Sequence, residues 1–345
     1  MAAHDILPTT VLTGFLGSGK TTLLRRVLAS PDFADTAVII NEVGEISIDH
    51  YLVDFVDGNV IELPGGCLCC AVREDLAKTL RDLIDRRDAG AVRPFRRIVV
   101  ETTGLADPAP ILYTLGADAM LDARLALARV VTLVDTVNGL ASLARYPEAA
   151  RQIAVADAIV ISKTDLAPLS AELDAELAAL NPRAERYNNA PSPPNGRRGV
   201  EAAILFGEGN QRHAPPHADA HAGHSHDIDT FALALDGDIS PLDFAVALGG
   251  LARERGYDLL RVKGLVAFAD RPDRPAVVQA AQHAMFAPEW LDEWPDADHR
   301  SRLVFIVHDI PRAEILARFA FASPTLLGAQ ASRLHAGETT ALQNH

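Results

Sequence analysis

The sequence predicts a three-layer α/β domain with a mainly parallel sheet, followed by a smaller α+β domain. Two observations support this prediction. Through the first part of the chain, short apolar runs of strand length alternate with amphipathic helical segments, as in sheets that carry helices on both faces. From about residue 188 the sequence becomes rich in proline, glycine and histidine, and strand and helix patterns resume near residue 228.

Six apolar runs in the first part have the length and composition of buried strands. They span residues 9–13, 37–40, 60–63, 98–100, 130–134 and 158–161. Apolar side chains at helical spacing predict helices over residues 21–29, over the segment from Val72 to Ile84, and after Ser170, which is placed as an N-cap. Such an alternation predicts parallel strands joined by helical crossovers.

The second domain is predicted from a strand over residues 228–235, a helix that opens at Ser240-Pro241 and ends at Arg255, and strands over 259–269 and 302–307. We therefore divide the chain into a first domain (1–187), a linker with a histidine-rich tract (188–227) and a second domain (228–324). Residues 325–345 show little periodicity, and we expect this tail to be disordered.

The charge balance excludes several classes of partner. The chain has 46 acidic and 32 basic side chains, a formal net charge of −14, which repels nucleic-acid phosphate and anionic lipid. Its first residues lack the pattern of a signal peptide, and no apolar run approaches the ~18 residues that span a bilayer. We expect a cytoplasmic protein that binds neither nucleic acid nor membrane.

A phosphate-binding loop lies between the first predicted strand and the first predicted helix. The segment Gly14-Phe15-Leu16-Gly17-Ser18-Gly19-Lys20-Thr21 matches GxxxxGK[ST] in the structural context that this motif requires. In such loops the backbone N–H groups surround the β-phosphate, the lysine bridges phosphates and the final hydroxyl binds Mg²⁺. We assign to nucleotide binding Gly14, Gly17, Ser18, Gly19, Lys20, Thr21 and Thr22.

Two further strand ends carry residues suited to a nucleotide. Glu101 follows the strand over residues 98–100 and is the candidate acid for the Mg²⁺ shell, with Gly104 giving the next loop freedom to respond to a γ-phosphate. Ser162, Lys163 and Asp165 follow the last predicted strand of the domain and are assigned to the base. A carboxylate there can accept from guanine N1–H and N2–H₂ together, which adenine does not offer, so GTP is favoured over ATP.

All three cysteines of the chain lie in Cys67-Leu68-Cys69-Cys70, which predicts a metal site. Three clustered cysteines make a poor disulfide framework, whereas thiolates are preferred ligands of zinc. We expect Cys67 and Cys69 to point to one side of an extended chain, with Cys70 brought around by a turn before the helix at Val72. Glu42, water or a client residue would complete the tetrahedron around the metal.

The histidine-rich tract is a second candidate metal site. His217, His221, His224 and His226, with His213, offer imidazoles that suit Zn²⁺, Ni²⁺ or Co²⁺. Two interpretations stay open, a flexible metal-collecting tract and a linker of biased composition. His283, by contrast, is expected to pack within the second domain.

Together these segments resemble the CobW-type GTPase family, and its zinc chaperone branch in particular. The matching segments are the phosphate loop at 13–22, Asn41-Glu42-Val43-Gly44-Glu45, Gly65-Gly66-Cys67-Leu68-Cys69-Cys70, Glu101-Thr102-Thr103-Gly104 and Ser162-Lys163-Thr164-Asp165. Arg261-Val262-Lys263-Gly264 and Arg300-Ser301-Arg302-Leu303 resemble the family's smaller C-terminal domain. Ser162 departs from the family pattern, which usually has an asparagine there whose amide contacts the base and ties this loop to the phosphate loop.

The resemblance implies a metallochaperone that hydrolyses GTP to GDP and phosphate with Mg²⁺ and passes zinc to client metalloproteins. Three alternatives stay open: cobalt or nickel as the cargo, a zinc buffer or sensor, and a small-metabolite kinase. Residues 41–45 and 101–104 are expected to act as nucleotide-sensing switches, and Glu42 is the candidate water-positioning group. We expect a monomer, or a homo-oligomer that depends on nucleotide or metal.

Overall fold

The first domain is built on a sheet of seven parallel strands in the order β3-β2-β4-β1-β5-β6-β7. The computed structural model describes residues 6–28, 33–41, 60–63, 69–188, 204–206 and 228–327. The strands are β1 (Leu7–Gly14), β2 (Thr36–Asn41), β3 (Val60–Leu63), β4 (Arg97–Thr102), β5 (Leu125–Asp135), β6 (Ala158–Ser162) and β7 (Glu185–Asn188). The first six include the six predicted runs. The seventh was not predicted, because it is a short edge strand whose side chains are partly or fully exposed.

Helices cover both faces of this sheet, which confirms the three-layer α/β architecture. Consecutive side chains of a strand face opposite layers, so that Val11 and Leu12, or Ile39 and Val38, belong to different hydrophobic cores. One layer contains α1 (Lys20–Leu28). The other contains α2 (Cys69–Asp88), α3 (Ala109–Ala117), α4 (Ala119–Asp122), α5 (Gly139–Arg145), α6 (Pro147–Ala154) and α7 (Ala171–Leu180).

Residues 204–206 form part of the layer that contains α1. Ile204, Leu205 and Phe206 are buried in the same core as the apolar side chains of α1. The carbonyl of Leu205 accepts a hydrogen bond from Oγ1 of Thr10 in β1 at 2.6 Å. This segment falls within the predicted linker at 188–227. Its three apolar residues instead belong to the core of the first domain, where they extend the apolar layer that α1 begins.

The second domain is an antiparallel sheet in the order β11-β10-β9-β13-β8-β14, with β12 paired to β10. Two helices, α8 (Pro241–Arg255) and α9 (Arg312–Arg318), pack on one face through a core that includes Phe244, Ile315 and Phe305. The strands are β8 (Ile228–Leu235), β9 (Leu259–Val266), β10 (Ala276–Ala281), β11 (Ala284–Met285), β12 (Glu289–Trp290), β13 (Ser301–His308) and β14 (Thr325–Leu327). The α+β prediction is confirmed.

The second domain extends further than its predicted boundary at residue 324. Strand β14 pairs with β8, and the half-buried Leu326 packs against the domain core. The first three residues of the expected disordered tail are therefore ordered. Leu326 and Leu327 explain the difference, because their apolar side chains give the segment a surface to bury beside the edge of β8.

Asp157 joins the two domains. It lies between α6 and β6 and accepts hydrogen bonds from Arg261 Nη2 at 2.7 Å, Lys263 Nζ at 3.2 Å and the Val130 amide at 2.8 Å. Arg261 also donates to the carbonyl of Val155 at 3.0 Å. Burial by itself would raise the pKa of Asp157, but the charges of Arg261 and Lys263 and the Val130 hydrogen bond outweigh it and hold the pKa at about 2. The Arg261-Val262-Lys263-Gly264 segment thus forms a domain contact.

A second contact between the domains runs along α3. The ring of His283 packs edge-on against Tyr113 of α3 and against Tyr257 of the second domain. The amide of Ala287 donates to Asp122 at 3.3 Å. His283 was expected to pack within the second domain, and it also packs against the first, because the β10–β11 turn faces α3.

Several predictions concern residues outside the described ranges. These are Glu42, Gly65, Gly66, Cys67, His213, His217, His221, His224 and His226. The backbone of Cys69 and Cys70 is described and forms the start of α2, so this helix begins before the predicted position near Val72. Because Cys69 is helical, the alternation of an extended chain does not relate it to Cys67. Within the described ranges, every helix is too short or too polar to cross a bilayer.

Candidate functional site

A pocket of about 290 Å³ opens where the carboxyl ends of β1, β2 and β4 meet. Parallel sheets bind ligands at this edge, where the connecting loops leave the strands. Its described lining residues come from the phosphate loop and α1, from the end of β2, and from the end of β4 with the loop that follows. They are Leu16, Gly17, Gly19, Lys20, Thr21, Thr22, Ile40, Glu101, Thr102, Thr103 and Gly104.

The backbone of the phosphate loop has the conformation that its glycines permit. Gly14, Gly17 and Gly19 have φ of 138°, 71° and 97°, values that L side chains adopt rarely. Helix α1 begins at Lys20, directly after the last of them, so its N-terminus faces the pocket and favours negative charge. The loop is therefore preformed for a phosphate group.

Lys20 is the positive charge of this pocket. Its side chain is only 8% exposed, and Nζ donates to the carbonyl of Gly14 at 2.7 Å and that of Phe15 at 3.4 Å. These contacts hold the ammonium group over the loop. A phosphate oxygen would find a cation that is already dehydrated and oriented.

Thr21, Thr22 and Glu101 line the same pocket as Lys20. Glu101 is buried at the end of β4, and the next residue, Thr102, donates from its hydroxyl to Oγ1 of Thr13 at 2.8 Å. This bond joins the ends of β4 and β1. The hydroxyl of Thr21 and the carboxylate of Glu101 are hard oxygen ligands at one site, which fits a Mg²⁺ ion beside bound phosphates.

Gly14 and Ser18 lie behind this pocket. A Cβ on Gly14 would meet the Ser18 hydroxyl at 2.8 Å, so these two residues adjoin each other. The side chain of Ser18 borders a second, smaller cavity between the phosphate loop and α5 and α6. Of the predicted phosphate-binding residues, Ser18 therefore contributes its backbone to the loop, whereas its hydroxyl points elsewhere.

The predicted guanine loop adjoins the phosphate loop. Ser162 ends β6, and its hydroxyl donates to the carbonyl of Ser18 at 2.6 Å. The site that Gly19 would need for a Cβ lies 3.9 Å from the Ser162 Cβ. The family's usual asparagine ties these two loops together through its amide, and here a serine hydroxyl makes a tie of the same kind. The departure at Ser162 therefore leaves the connection in place.

Lys163 and Asp165 occupy different environments in the guanine loop. Lys163 has a left-handed backbone (φ 58°), and its Nζ lies 3.4 Å from Oδ1 of the buried Asp135. The carbonyl of Lys163 accepts from Oγ1 of Thr136 at 2.9 Å. Asp165 is exposed, so its carboxylate faces solvent. The contacts of Lys163 with Asp135 and Thr136 therefore hold the loop, while the proposed base-binding carboxylate stays accessible.

Strand β3, which precedes the cysteine segment in the sequence, ends beside the strand that borders the nucleotide pocket. Asn41 at the end of β2 is paired with Leu63 at the end of β3 on one side and with Thr102 of β4 on the other. The segment that leads to the cysteines thus starts at the same sheet edge as the loop after Glu101. In the part of the chain that is described, no three metal-ligating side chains converge.

Asp135 and Gln152 contact the site loops and were not predicted from the sequence. Asp135, which pairs with Lys163, ends β5, and a search for acidic residues directly after predicted strands would have found it. Gln152 donates to the carbonyls of Gly104 and Ala106 from the interior of α6. Nothing in the sequence distinguishes it from other polar helix residues, since its partners lie more than 40 residues away.

Comparisons with known proteins agree over both domains. Residues 8–188 match the family model of the CobW/HypB/UreG nucleotide-binding domain, and residues 228–322 match that of the cobalamin synthesis protein cobW C-terminal domain. The chain is 34% identical over 317 residues to the zinc chaperone YjiA of Escherichia coli, covering 90% of this chain and 97% of YjiA. It is 31% identical over 354 residues to the zinc chaperone CobW of a Sinorhizobium species, covering 90% and 96%.

A solved structure supports the same relationship. The crystal structure of the Zn(II)-bound YjiA GTPase from Escherichia coli superimposes with a TM-score of 0.64 at 31% identity, over 92% of this chain and 99% of that one. Sequence and structure thus agree on the phosphate loop, the parallel sheet and the second domain. The chain belongs to the CobW/HypB/UreG family of nucleotide-binding proteins and carries the cobW C-terminal domain.

Proposed function

We propose that this protein is a GTP-dependent zinc chaperone, which hydrolyses GTP to GDP and phosphate and passes zinc from Cys67, Cys69 and Cys70 to client metalloproteins. The order of the strands carries this proposal. Strands β3, β2 and β4 are adjacent and parallel, and their carboxyl ends lead to the cysteine segment, to Glu42 and to Glu101. The strand ends that precede the metal segment and that carry Glu101 are therefore neighbours on one sheet edge.

The spacing of strands sets the scale of this coupling. Neighbouring strands lie ~4.8 Å apart, so β4 and β3 are separated by roughly 10 Å. A movement of the loop after Glu101 that follows loss of the γ-phosphate reaches the segment after β2 across one strand pairing and the cysteine segment across two. This is how hydrolysis would change the geometry of the zinc ligands.

The chemical step of GTP hydrolysis depends mainly on positioning and on neutralising charge. Lys20 supplies a buried cation on the wall of the pocket, and Thr21 and Glu101 supply oxygens that would hold Mg²⁺. The metal ion neutralises phosphate charge when it is bound. We assign the positioning of the attacking water to Glu42, which follows the end of β2.

The choice of base rests on Asp165. Its exposed carboxylate is suited to accept from both guanine donors, and its loop is joined to the phosphate loop by the Ser162 hydroxyl. The loop that carries Asp165 and the phosphate loop are therefore held in a fixed position relative to each other. We assign Lys163 to the base as well, through the apolar part of its side chain.

Zinc is the proposed cargo because three thiolates are its preferred ligands. The names of relatives support this choice: YjiA and CobW are zinc chaperones, and a fission yeast protein, 36% identical over 169 residues, is a zinc-regulated GTPase metalloprotein activator. Cobalt or nickel carried by the same mechanism is the alternative. A zinc site can contribute ~10–16 kcal/mol of binding free energy, so release to a client requires a switch that weakens it by several kcal/mol.

Transfer is tested with zinc-loaded protein and an apo zinc enzyme whose recovered activity reports the metal it receives. We expect transfer to be fastest while GTP is being hydrolysed, slower with GDP and slowest without nucleotide. Lys20→Ala is the matched control, because it retains the cysteines but should transfer zinc at one rate whether or not GTP is present. Equal transfer rates in all three nucleotide states of the unmodified protein would refute the chaperone and leave a zinc buffer.

We also propose that the protein is a monomer or forms a homo-oligomer in response to nucleotide or metal. Sedimentation velocity with GDP, with a non-hydrolysable GTP analogue and with zinc separates these states. The metal content of protein expressed under metal limitation, measured with and without GTP, identifies the cargo. Iron or copper in that sample would contradict the zinc assignment.

A further inference from the structure

Helix α6 touches both loops that border the nucleotide pocket. Tyr146, the residue before the helix, stacks on Phe15 of the phosphate loop with ring centroids 4.7 Å apart. Within the helix, Nε2 of Gln152 donates to the carbonyl of Gly104 at 3.2 Å and to that of Ala106 at 2.9 Å. One helix thus contacts the phosphate loop and the loop that follows Glu101.

The side chain of Gln152 is fixed in a single orientation. Gln152 is only 1% exposed. Its backbone is held as well, because its carbonyl accepts a hydrogen bond from Oγ1 of Thr132 in β5 at 2.6 Å. Of the two ends of its carboxamide, only the nitrogen can donate to two carbonyls, so the hydrogen-bond network determines which way the group points. A buried amide that donates two hydrogen bonds in this way holds its partners rigidly.

The loop that Gln152 holds is pressed against the phosphate loop from the other side. A Cβ on Gly104 would lie 2.7 Å from the Leu16 amide nitrogen and 2.8 Å from its Cα. The turn is closed by the Ala106 amide, which donates to the carbonyl of Thr103 at 3.1 Å. Residues 103–106 therefore lie between the backbone of Leu16 and the amide of Gln152, with little room to move in either direction.

A small cavity joins Gln152 to the phosphate loop directly. Its volume is about 20 Å³, and its lining includes both Ser18 and Gln152. Neither the Ser18 hydroxyl nor Oε1 of Gln152 has a hydrogen-bond partner among the described residues, although both atoms are buried. The volume and the two polar atoms suit one water molecule, which would bridge the phosphate loop to the other end of the same amide.

We propose that Gln152 is a positioning residue for GTP hydrolysis. Its side chain fixes the position of the loop after Glu101 relative to the phosphate loop. This inference rests on the proposed GTPase function. Gln152 does not reach the pocket lining, so it acts through the backbone of Gly104. A misplacement of about 1 Å at a reacting centre can cost about 100-fold in rate, so loss of the support should appear in kcat.

The test compares steady-state GTP hydrolysis of the full-length protein with that of two variants. Gln152→Leu removes both hydrogen bonds, and Gln152→Glu keeps the size of the side chain but places a carboxylate against two carbonyl oxygens. We expect kcat to fall at least tenfold in each, with KM within about twofold of the unmodified value. Gln152→Glu decides the question if Gln152→Leu does not fold.

Asn181, the residue after α7, supplies a matched control that contacts the same helix. Its buried amide donates to the carbonyls of Ile153 and Ala154 at the C-terminal end of α6, and to that of Ala156 beyond it, at 2.8–3.0 Å. Asn181→Leu therefore removes more hydrogen bonds than Gln152→Leu but none to the site loops. We expect it to lower the melting temperature at least as much while kcat stays within about twofold.

Four results would contradict the proposal or the function on which it rests, and they can be told apart. Folded Gln152 variants with unchanged kcat would remove the positioning role, as would an equal loss of kcat in Asn181→Leu, which would show general loosening of α6. A tenfold rise in KM with unchanged kcat would assign Gln152 to binding alone. Absence of GTP hydrolysis in the unmodified protein would instead refute the proposed function.

Discussion

Replacing Arg261 with methionine should weaken the contact between the two domains and so lower the stability of the protein. Arg261 is only 4% exposed, and its guanidinium donates to Asp157, to the carbonyl of Val155 and to Gln279. Without it, Asp157 keeps Lys263 as its charged partner, at 3.2 Å and with a side chain 29% exposed. Removing one partner of a buried ion pair typically costs about 3–5 kcal/mol, and we expect Arg261→Met to lower the free energy of unfolding by this amount.

The pKa of Asp157 gives a second measure of the same contact. Its value of about 2 lies below the ordinary value of 3.8, and a shift of this size corresponds to roughly 2 kcal/mol. Because the pKa is lower in the folded protein, the stabilisation is present above pH 4 and is lost as the pH falls from about 4 to 2. In Arg261→Met the pKa of Asp157 should be higher. The difference in unfolding free energy between the unmodified protein and Arg261→Met should therefore become smaller as the pH falls through that range.

The assay is urea unfolding followed by the fluorescence of Trp290 and Trp294, which both lie in the second domain. Arg312→Met is the matched control, because Arg312 also pairs with one carboxylate through two hydrogen bonds, to Asp229 at 2.6 and 2.7 Å, but its side chain is 32% exposed. We expect this control to lose only about 1 kcal/mol. The buried ion pair does not stabilise the protein as described if Arg261→Met loses no more unfolding free energy than the control. The same conclusion follows if the difference between Arg261→Met and the unmodified protein stays constant in acid.

Three other substitutions test the nucleotide site. Ser162→Ala removes the 2.6 Å bond to the Ser18 carbonyl and should weaken GDP binding about fivefold by calorimetry; an unchanged Kd would show that the bond does not support binding. Gly104→Ala places a Cβ 2.7 Å from the Leu16 amide nitrogen and should lower kcat at least tenfold while the circular dichroism spectrum is kept, whereas normal turnover would contradict the tight contact. Lys20→Ala should abolish hydrolysis, and normal turnover in this variant would remove the phosphate-loop assignment.

The sheet of the first domain could be predicted because its central strands are covered on both faces. That burial makes each strand a continuous apolar run, such as the one that contains Val130, and the runs could be located without knowing how they pair. Strand β7 escaped prediction because it lies at the edge and is not apolar along its length. Residues 204–206 escaped because three apolar residues are too few to show a period.

The loops of the site were predicted from local motifs, whereas their supports were not. The phosphate loop carries its own signal, since its glycines and lysine are consecutive. Gln152 and Gly104 are 48 residues apart, and Arg261 and Asp157 are 104 apart, so only the tertiary fold brings them together. The bond from Ser162 to Ser18 is the clearest case, because the sequence showed a departure and the structure showed what replaces it.

The burial of Leu205 and its neighbours fixes one end of the histidine-rich tract, and β8 fixes the other. A chain held at both ends and spanning residues 207–227 can reach only on the order of 40 Å from its anchors, since each residue extends it by at most ~3.5 Å. Any metal ion captured by the tract would stay within that radius. If that metal ion passed to the cysteines of the same chain, the step would be intramolecular, and its rate would not depend on the protein concentration.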